Sequence, residues 1–291
     1  MSARFGALLV LSGCALFGTV GTARALGPDA SELQVAFVRV TASALVLTLF
    51  ALGARSPTIS RRAWHAAPVW GAGVSQAVFQ VSIFEAFSRV GVASGTLISI
   101  GLAPLITGLL ARAFSWAWAS TTAMGLGGLA LLVGGIEVSR PSGIGFALLA
   151  ATSYAVYLLC SAATAARGIA LESALAAIFS ISAIVLLPAL LVGDFGWLAQ
   201  PRGITMMAFL VLVPTVLSYR LLNSGLAAIP AASAATLALI EPVVAALLAV
   251  LVLGERLPPP ATLGAALILA AVFVLVRVQG RATARTAESV L

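Results

Sequence analysis

Lysine is absent from this chain, histidine occurs once, cysteine twice, and acidic residues number only nine. Charged side chains make up 9% of the 291 residues, whereas a soluble domain carries about 25%. So few charges cannot cover the surface of one globule of this size, let alone two. A soluble enzyme, a disordered tail and a nucleic-acid binder are excluded together. The 16 arginines and the net charge of +7 do not restore a nucleic-acid reading, because the basic residues are scattered. They fit counter-charge for a membrane surface. The only histidine, His65, lies beside Arg61 and Arg62 in a polar loop, and no His/Cys/Asp/Glu cluster has metal-ligand spacing. Cys14 and Cys160 both fall in apolar runs and read as small buried residues at helix contacts. No phosphate-cradling G-x-x-x-x-G-K-[ST] loop is present, so neither ATP nor any other cofactor is implied.

What is abundant is apolar length. Hydrophobic residues make up 61% of the chain, and the mean hydropathy is +1.13. A helix needs about 20 apolar residues to cross the hydrocarbon. Ten stretches qualify, at roughly 5–24, 34–52, 68–88, 93–111, 120–137, 144–165, 173–192, 204–225, 231–253 and 260–278. Together they consume about 200 residues, and what remains serves connections and tails. The runs are continuous and Ala/Leu-rich, unlike the alternating segments of about ten residues in a β-barrel. The sequence therefore predicts an all-α membrane protein of ten transmembrane helices.

Arginine and acid counts orient the helices. With the N-terminus in the cytoplasm, that side holds nine arginines against Glu172 and Glu288, while the opposite side holds five arginines against five acids. The entire excess falls on one face, so both termini are expected to be cytoplasmic. Met1–Arg4, the following apolar run and Ala23-Arg24-Ala25 also fit a cleaved signal peptide. The internal repeat argues against cleavage, because it needs the first span.

That repeat joins VASGTLISIGLAPLITGLL (92–110) to PAASAATLALIEPVVAALL (230–248), with Pro104 matching Pro242. Gly6-Ala-Leu-Leu and Gly145-Phe-Ala-Leu-Leu recur at nearly the same offset. Five spans per unit force the second copy upside down, giving two inverted five-helix repeats, 5–138 and 141–278, with 279–291 as a cytoplasmic tail.

The stretch from Glu241-Pro242 to Gly254-Glu255-Arg256, closing the ninth of ten spans, resembles the drug/metabolite transporter superfamily, EamA type. Arg39 in the second span resembles an arginine common there. The first copy departs from the pattern: Ala103 precedes Pro104, and Ser115-Trp116-Ala117 stands where Gly-Glu would be. The resemblance implies a bacterial inner-membrane exporter of small metabolites, often amino acids, working by alternating access. It leans toward exporters of aromatic and other amino acids, with nucleosides, drugs or other metabolites as the alternative cargo. An intramembrane enzyme is disfavoured, since no nucleophile–base pair is visible. Oligomeric state and coupling ion are not legible.

Four ionisable residues lie inside spans, where each costs about 2.5–3.5 kcal/mol on insertion scales. Arg39 and Arg220 could hold a substrate carboxylate; Glu85 and Glu241 could instead be their counter-ions. Arg39 and Glu241 sit near span ends, which favours a structural role. Glu85 precedes Arg89 by one helical turn, which favours a local ion pair.

Polar and aromatic stripes mark the third, sixth and eighth spans. Gln76, Phe79, Gln80 and Ile83 share one face, as do Thr215, Tyr219 and Asn223, and Tyr154 and Tyr157 form a further pair. Lipid has no use for such faces, so they point inward, either as glue between helices or as the lining of a wet cavity. Cavity lining is preferred, because glue explains one residue better than a stripe. With Ser99 added, these residues form the candidate substrate site. Rings beside amides suit an amino acid, whose side chain stacks on them and whose ammonium can sit over a π-face. Pro104, Pro188, Pro214 and Pro242 fall within spans and are expected to bend them. The matched Pro104 and Pro242, beside the small residues 93–95 and 231–233, are candidate gating points.

The charge asymmetry yields a direct check. With Cys14 and Cys160 replaced by serine, Thr283→Cys is expected to react only with a membrane-permeant thiol reagent in intact cells. Labelling by an impermeant reagent would invert the topology.

Overall fold

The structure is a computed structural model that describes residues 1–53, 61–112, 114–134, 141–191 and 194–288, with the side chains of 61, 92, 93 and 279–288 excepted. The end of the fifth expected span, the junction of the two expected halves at 139–140, and Arg55, Glu137 and Arg140 lie outside the described residues. So do the side chains of Arg61, Ala93, Arg281, Arg285 and Glu288.

The described residues are helical, with no strand among them. The helices are α1 (Ala3–Phe17), α2 (Val20–Leu26), α3 (Glu32–Gly53), α4 (Ala67–Gly101), α5 (Ala103–Leu110), α6 (Trp116–Val133) and α7 (Pro141–Ala166). There follow α8 (Leu171–Val185), α9 (Pro201–Val211), α10 (Ser218–Leu226), α11 (Ala231–Leu237), α12 (Ile240–Leu253) and α13 (Pro259–Glu288). Each of the ten apolar stretches read from the sequence is mainly helix. Seven helical segments are long and apolar enough to cross a membrane, and Ser94–Leu110 and Leu171–Val185 are shorter apolar helices. Residues 67–90 are the polar exception, because Gln76, Gln80 and Glu85 interrupt their apolar character.

Local chemistry sets where these helices start and stop. Ser2 Oγ accepts from the Phe5 amide and Ser115 Oγ from the Trp118 amide, capping α1 and α6. Prolines open α5, α7, α9 and α13 within their first two residues, where the missing N–H costs nothing. Gly134 and Gly254 close α6 and α12 in the left-handed conformation. Inside α4, Gly91 holds φ 80° and ψ 159°, a backbone state open to glycine and costly for residues with a Cβ. The chain turns there, so 68–88 and 93–111 remain two rods despite the continuous helical assignment.

The prolines act differently from simple bends. The helix breaks at Leu102, just before Pro104, and again at Ala238–Leu239, just before Pro242. Pro188 is a correction: helix α8 ends at Val185, and Pro188 lies beyond it in a 3-10 stretch, Leu187–Leu191. Without a donor N–H, it terminates rather than kinks. Pro214 sits in a π-helical stretch, Leu212–Leu217.

The main helix contacts are α4 on α7, α6 on α13, α1 on α10, α3 on α8, α4 on α8 and α5 on α11. Glycines bring backbones together at these crossings. A Cβ on Gly13 would lie 2.7 Å from the Ser218 carbonyl oxygen, and one on Gly128 would lie 2.7 Å from the Gly264 carbonyl oxygen. Such close approach is how helices gain packing energy where lipid removes the hydrophobic drive. A few hydrogen bonds pin the crossings. The Thr122 and Thr236 hydroxyls pair at 2.8 Å, Trp118 Nε1 donates to the Ala232 carbonyl, and Ser182 Oγ donates to the Gly73 carbonyl at 2.7 Å. Outside, Leu49, Leu109, Leu251 and many similar side chains are exposed, an apolar coat that only lipid would cover.

Gly128→Ala should cost about 1–3 kcal/mol of stability by overpacking, whereas Gly127→Ala, which meets nothing within 4 Å, should be neutral. Thermal unfolding of the two purified variants, side by side, checks this.

Candidate functional site

The buried polar groups of the bundle concentrate where α3, α4, α7 and α10 meet. Helix α4 carries Gln76, Phe79 and Gln80 on successive turns, and α7 brings Tyr154 and Tyr157 against it. From α10 come Tyr219 and Asn223, one turn apart. Gln76 Nε2 donates to the Tyr219 hydroxyl at 2.7 Å. Asn223 Nδ2 donates to the Tyr157 hydroxyl at 2.7 Å and to the Tyr219 carbonyl at 2.8 Å. Arg39, on α3, donates through Nη2 to Gln80 Oε1 at 2.9 Å. Two of the three tyrosines and the single asparagine of the chain thus fall in one hydrogen-bonded network, and Tyr154 packs beside it through its ring.

Rings fill the space between these bonds. Tyr219 meets Phe17 at 5.0 Å, Phe179 at 4.9 Å and Tyr157 at 5.6 Å, each edge to face. Phe79 lies 5.5 Å from Tyr154, and the Tyr154 and Tyr157 rings are nearly parallel, 6.4 Å apart. Tyr157 and Phe179 are fully buried. Edge-to-face pairs add about 0.5–1.5 kcal/mol each beyond area burial, so the cluster is rigid as well as polar.

It is also incompletely satisfied. Arg39 Nε, Gln76 Oε1 and the Tyr154 hydroxyl are buried without a hydrogen-bond partner among the described residues. Buried polar atoms are bonded in the large majority of cases, and in a span the shortfall is dearer still. These three atoms therefore mark where a further polar group belongs.

The phase of α10 is set by the π-helical turn before it. Pro214 lacks an N–H, and the Thr215 and Ser218 hydroxyls donate to carbonyls five residues back, Leu210 at 2.7 Å and Val213 at 3.2 Å. This widened turn presents Tyr219 and Asn223 to α4 and α7. Such turns occur frequently at functional sites.

Not every candidate read from the sequence gathers here. Ser99 is buried elsewhere, donating to the Ala147 carbonyl at 3.3 Å and stapling α4 to α7. Ile83 is buried one turn beyond Phe79 and contributes no polar atom. Pro104 and Pro242 stand at the helix breaks already described. Arg220 turns from the network: it pairs with Glu172 at 3.2 Å and lies 5.2 Å over the Phe50 ring. Its counter-ion is thus neither Glu85 nor Glu241, a pairing across helices that sequence spacing could not show. Glu85 pairs with Arg89, as the one-turn spacing predicts, and Arg89 also covers the Phe146 ring.

Glu241 behaves otherwise. Among the described residues its side chain makes no hydrogen bond or ion pair, and Arg39, Cys14, Tyr154 and Tyr219 lie within electrostatic range of it. Three members of this neighbourhood escape sequence reasoning. Cys14, Phe17 and Phe179 lie in apolar runs, where nothing but spacing from a known site residue would single them out. A cavity of about 590 Å³ lies apart from the network, walled by α2, α9 and α12 through residues such as Ala23, Met206, Phe209 and Val252.

A core of bonded polar groups inside an apolar helical bundle is the construction of a membrane transporter. Comparison with known proteins gives the class a family. Residues 141–277 match the model of the EamA-like transporter family. The uncharacterized transporter YwfM of Bacillus subtilis (strain 168) is 34% identical over 287 residues, covering 94% of this chain and 95% of that one. The chain belongs to the EamA-like transporter family. A crystal structure of another protein superposes with a TM-score of 0.81 at 19% identity, covering 95% of this chain and 98% of that one, which shows a shared fold.

A double-mutant cycle tests the central bond. Gln76→Leu and Tyr219→Phe are expected to show a coupling of about 0.6–2 kcal/mol in thermal or denaturant stability. Additive effects would mean that the bond is not formed.

Proposed function

We propose that the chain is a secondary transporter that exports amino acids and related small metabolites across the bacterial inner membrane by alternating access. In this reading ten spans form two inverted five-helix repeats, 5–138 and 141–278, with both termini cytoplasmic. Gln76, Phe79, Gln80, Tyr154, Tyr157, Tyr219 and Asn223 bind the cargo, with Ile83 one turn beyond Phe79 and Ser99 outside the site.

One observation carries the proposal. Side chains from α3 and α4 on one half, and from α7 and α10 on the other, satisfy each other at the middle of the bundle and leave three polar atoms wanting. Inverted repeats put the substrate site at the midplane, on their interface. The helix pairing supports the repeat. The first helix of each half lies on the third of the other, while second, fourth and fifth helices lie on their counterparts. A two-fold relation in the membrane plane would pair them in this way. The helix breaks before Pro104 and Pro242 occupy matched places in the two halves, where symmetric hinges would serve alternating access.

The substrate class rests on chemistry. Stacked and edge-on rings take an aliphatic or aromatic side chain, while amides, hydroxyls and a guanidinium take the polar end. The arginine excess on one side supports the orientation.

Purified protein in liposomes should move amino acids down their gradients, whereas an intramembrane enzyme would move no solute unchanged. Gln80→Ala and Asn223→Ala should each shift apparent substrate affinity about 5- to 150-fold, equivalent to about 1–3 kcal/mol, with normal abundance. Transport by both variants indistinguishable from wild type across a panel of amino acids, nucleosides and organic cations would remove these side chains from the site.

A further inference from the structure

Two ion pairs stand at opposite ends of one helix pair, and neither takes part in the central network. Helix α8 packs on α3. Glu172 is the second residue of α8, and Glu32 is the first of α3. Glu172 pairs with Arg220 of α10 at 3.2 Å, and that guanidinium lies 5.2 Å over the ring of Phe50, near the far end of α3. The end of α3 therefore lies beside the start of α8, and the two helices run antiparallel. From Glu32 to Phe50 the helix rises about 27 Å, close to the thickness of the hydrocarbon core. Arg39, which ties α3 to the central network, lies between the two ends.

The two acids are also matched in sequence. They lie 140 positions apart, against 138 and 139 for the repeated segments, and each opens the second helix of its half. Each pair touches the opposite half as well. Arg220 covers Phe50 of the first half, while Arg24 Nη2 donates to Glu32 at 3.0 Å and its Nη1 reaches Met206 Sδ of the second half at 3.3 Å. The arginines themselves are not matched, since Arg24 closes the first span and Arg220 belongs to the eighth.

An acid in the first turn is favourable beside the positive end of the helix dipole, and that accounts for the carboxylates alone. It does not bring an arginine from another helix onto each of them, nor seat that arginine against the opposite half. Neither pair is built to be permanent. Arg220 Nη1 is buried without a hydrogen-bond partner among the described residues, so its guanidinium is incompletely engaged. The side chains of Arg220 and Glu172 are 32% and 26% exposed, and that of Glu32 is 47% exposed. Partly hydrated pairs separate at little cost.

We propose that Glu172 with Arg220, and Glu32 with Arg24, are the inner and outer latches of the transport cycle. Each holds its end of the α3–α8 pair against the opposite half, and each must part before cargo crosses at that end. Both are formed in this structure, with the central network between them. The proposal rests on the transport reading above and its orientation, and it adds positioning residues that meet no cargo.

The test needs no cargo either. In full-length protein with Cys14 and Cys160 replaced by serine, Ser43→Cys is the reporter, because Ser43 is fully buried at the middle of α3, one turn from Arg39. Its rate of labelling by an impermeant thiol reagent is measured in membrane vesicles of either orientation. Glu172→Gln should raise labelling from the cytoplasmic face about 2- to 5-fold and lower it from the other, the population shift expected when a partly exposed ion pair is lost. Glu32→Gln should do the converse. Exchanging the partners, Glu172→Arg with Arg220→Glu, should return both rates toward those of the parent. If Glu172→Gln fails to accumulate, Phe50→Leu decides. It keeps the ion pair, removes the ring beneath it, and should shift labelling in the same direction as Glu172→Gln. Shifts of one sign in both acid variants, or no shift, would overturn the latches and leave the cargo reading standing. The reverse pair of shifts would overturn the orientation alone. A reporter that reacts from one face only in every variant would overturn alternating access together with the latches.

Discussion

Lipid offers no hydrogen bonds, and that one deficiency orders the whole molecule. Each backbone amide and carbonyl in a span must find its partner within the protein, which makes the fold helical before any side chain is considered. Each polar side chain must turn inward and meet another. The bond from Gln76 to Tyr219, and that from Asn223 to Tyr157, join helices that are distant in the chain because neither end has an alternative outside. With Arg39 on Gln80, they draw α3, α4, α7 and α10 around a common centre. The glycine crossings and the helix breaks then decide how closely the rest of the bundle can gather about it.

The same deficiency makes incomplete bonding informative. On a water-facing surface, an unpartnered Tyr154 hydroxyl or Arg39 Nε would be routine, since solvent would meet it. Within an apolar bundle, each is a standing cost that a bound polar molecule would relieve. The cluster is also stiff, because aromatic edges hold Tyr219 from three sides. Stiffness and incomplete satisfaction together describe a site arranged before its ligand arrives, which lowers the entropy lost on binding.

Much of this was legible in the sequence, and the reason is physical. Apolar length is a local property, so the all-helical, membrane-spanning character of the chain could be read from it. A polar stripe is also local, so the inward faces of Gln76, Gln80, Tyr157, Tyr219 and Asn223 could be named. What faces each stripe is not local. Arg220 finds Glu172 across helices, and Ser99 finds a backbone carbonyl on α7 rather than the central network. Phe17 and Phe179 became site neighbours only through packing, and nothing in an apolar run distinguishes a phenylalanine facing a tyrosine from one facing lipid. Proline was the least transparent residue. Its missing N–H predicts disturbance at Pro104, Pro188, Pro214 and Pro242, but the outcome was two breaks, one terminus and one widened turn. Neighbouring backbone partners settle which occurs.

The widened turn at Leu212–Leu217 has a geometric effect on the two faces of its rod. A π turn contains one residue more than the α turn it replaces, which advances everything after it by about 100°. Exposure records the step. Phe209 and Leu212 face outward, and an unbroken α-helix would present Val216 next. Instead Val216 is 4% exposed and Leu217 is 45% exposed. The extra residue thus acts as a phase shifter. It lets the first half of the rod keep its greasy side toward lipid while the second half swings its amide and phenol toward the axis of the bundle. No single amphipathic repeat could have specified both directions.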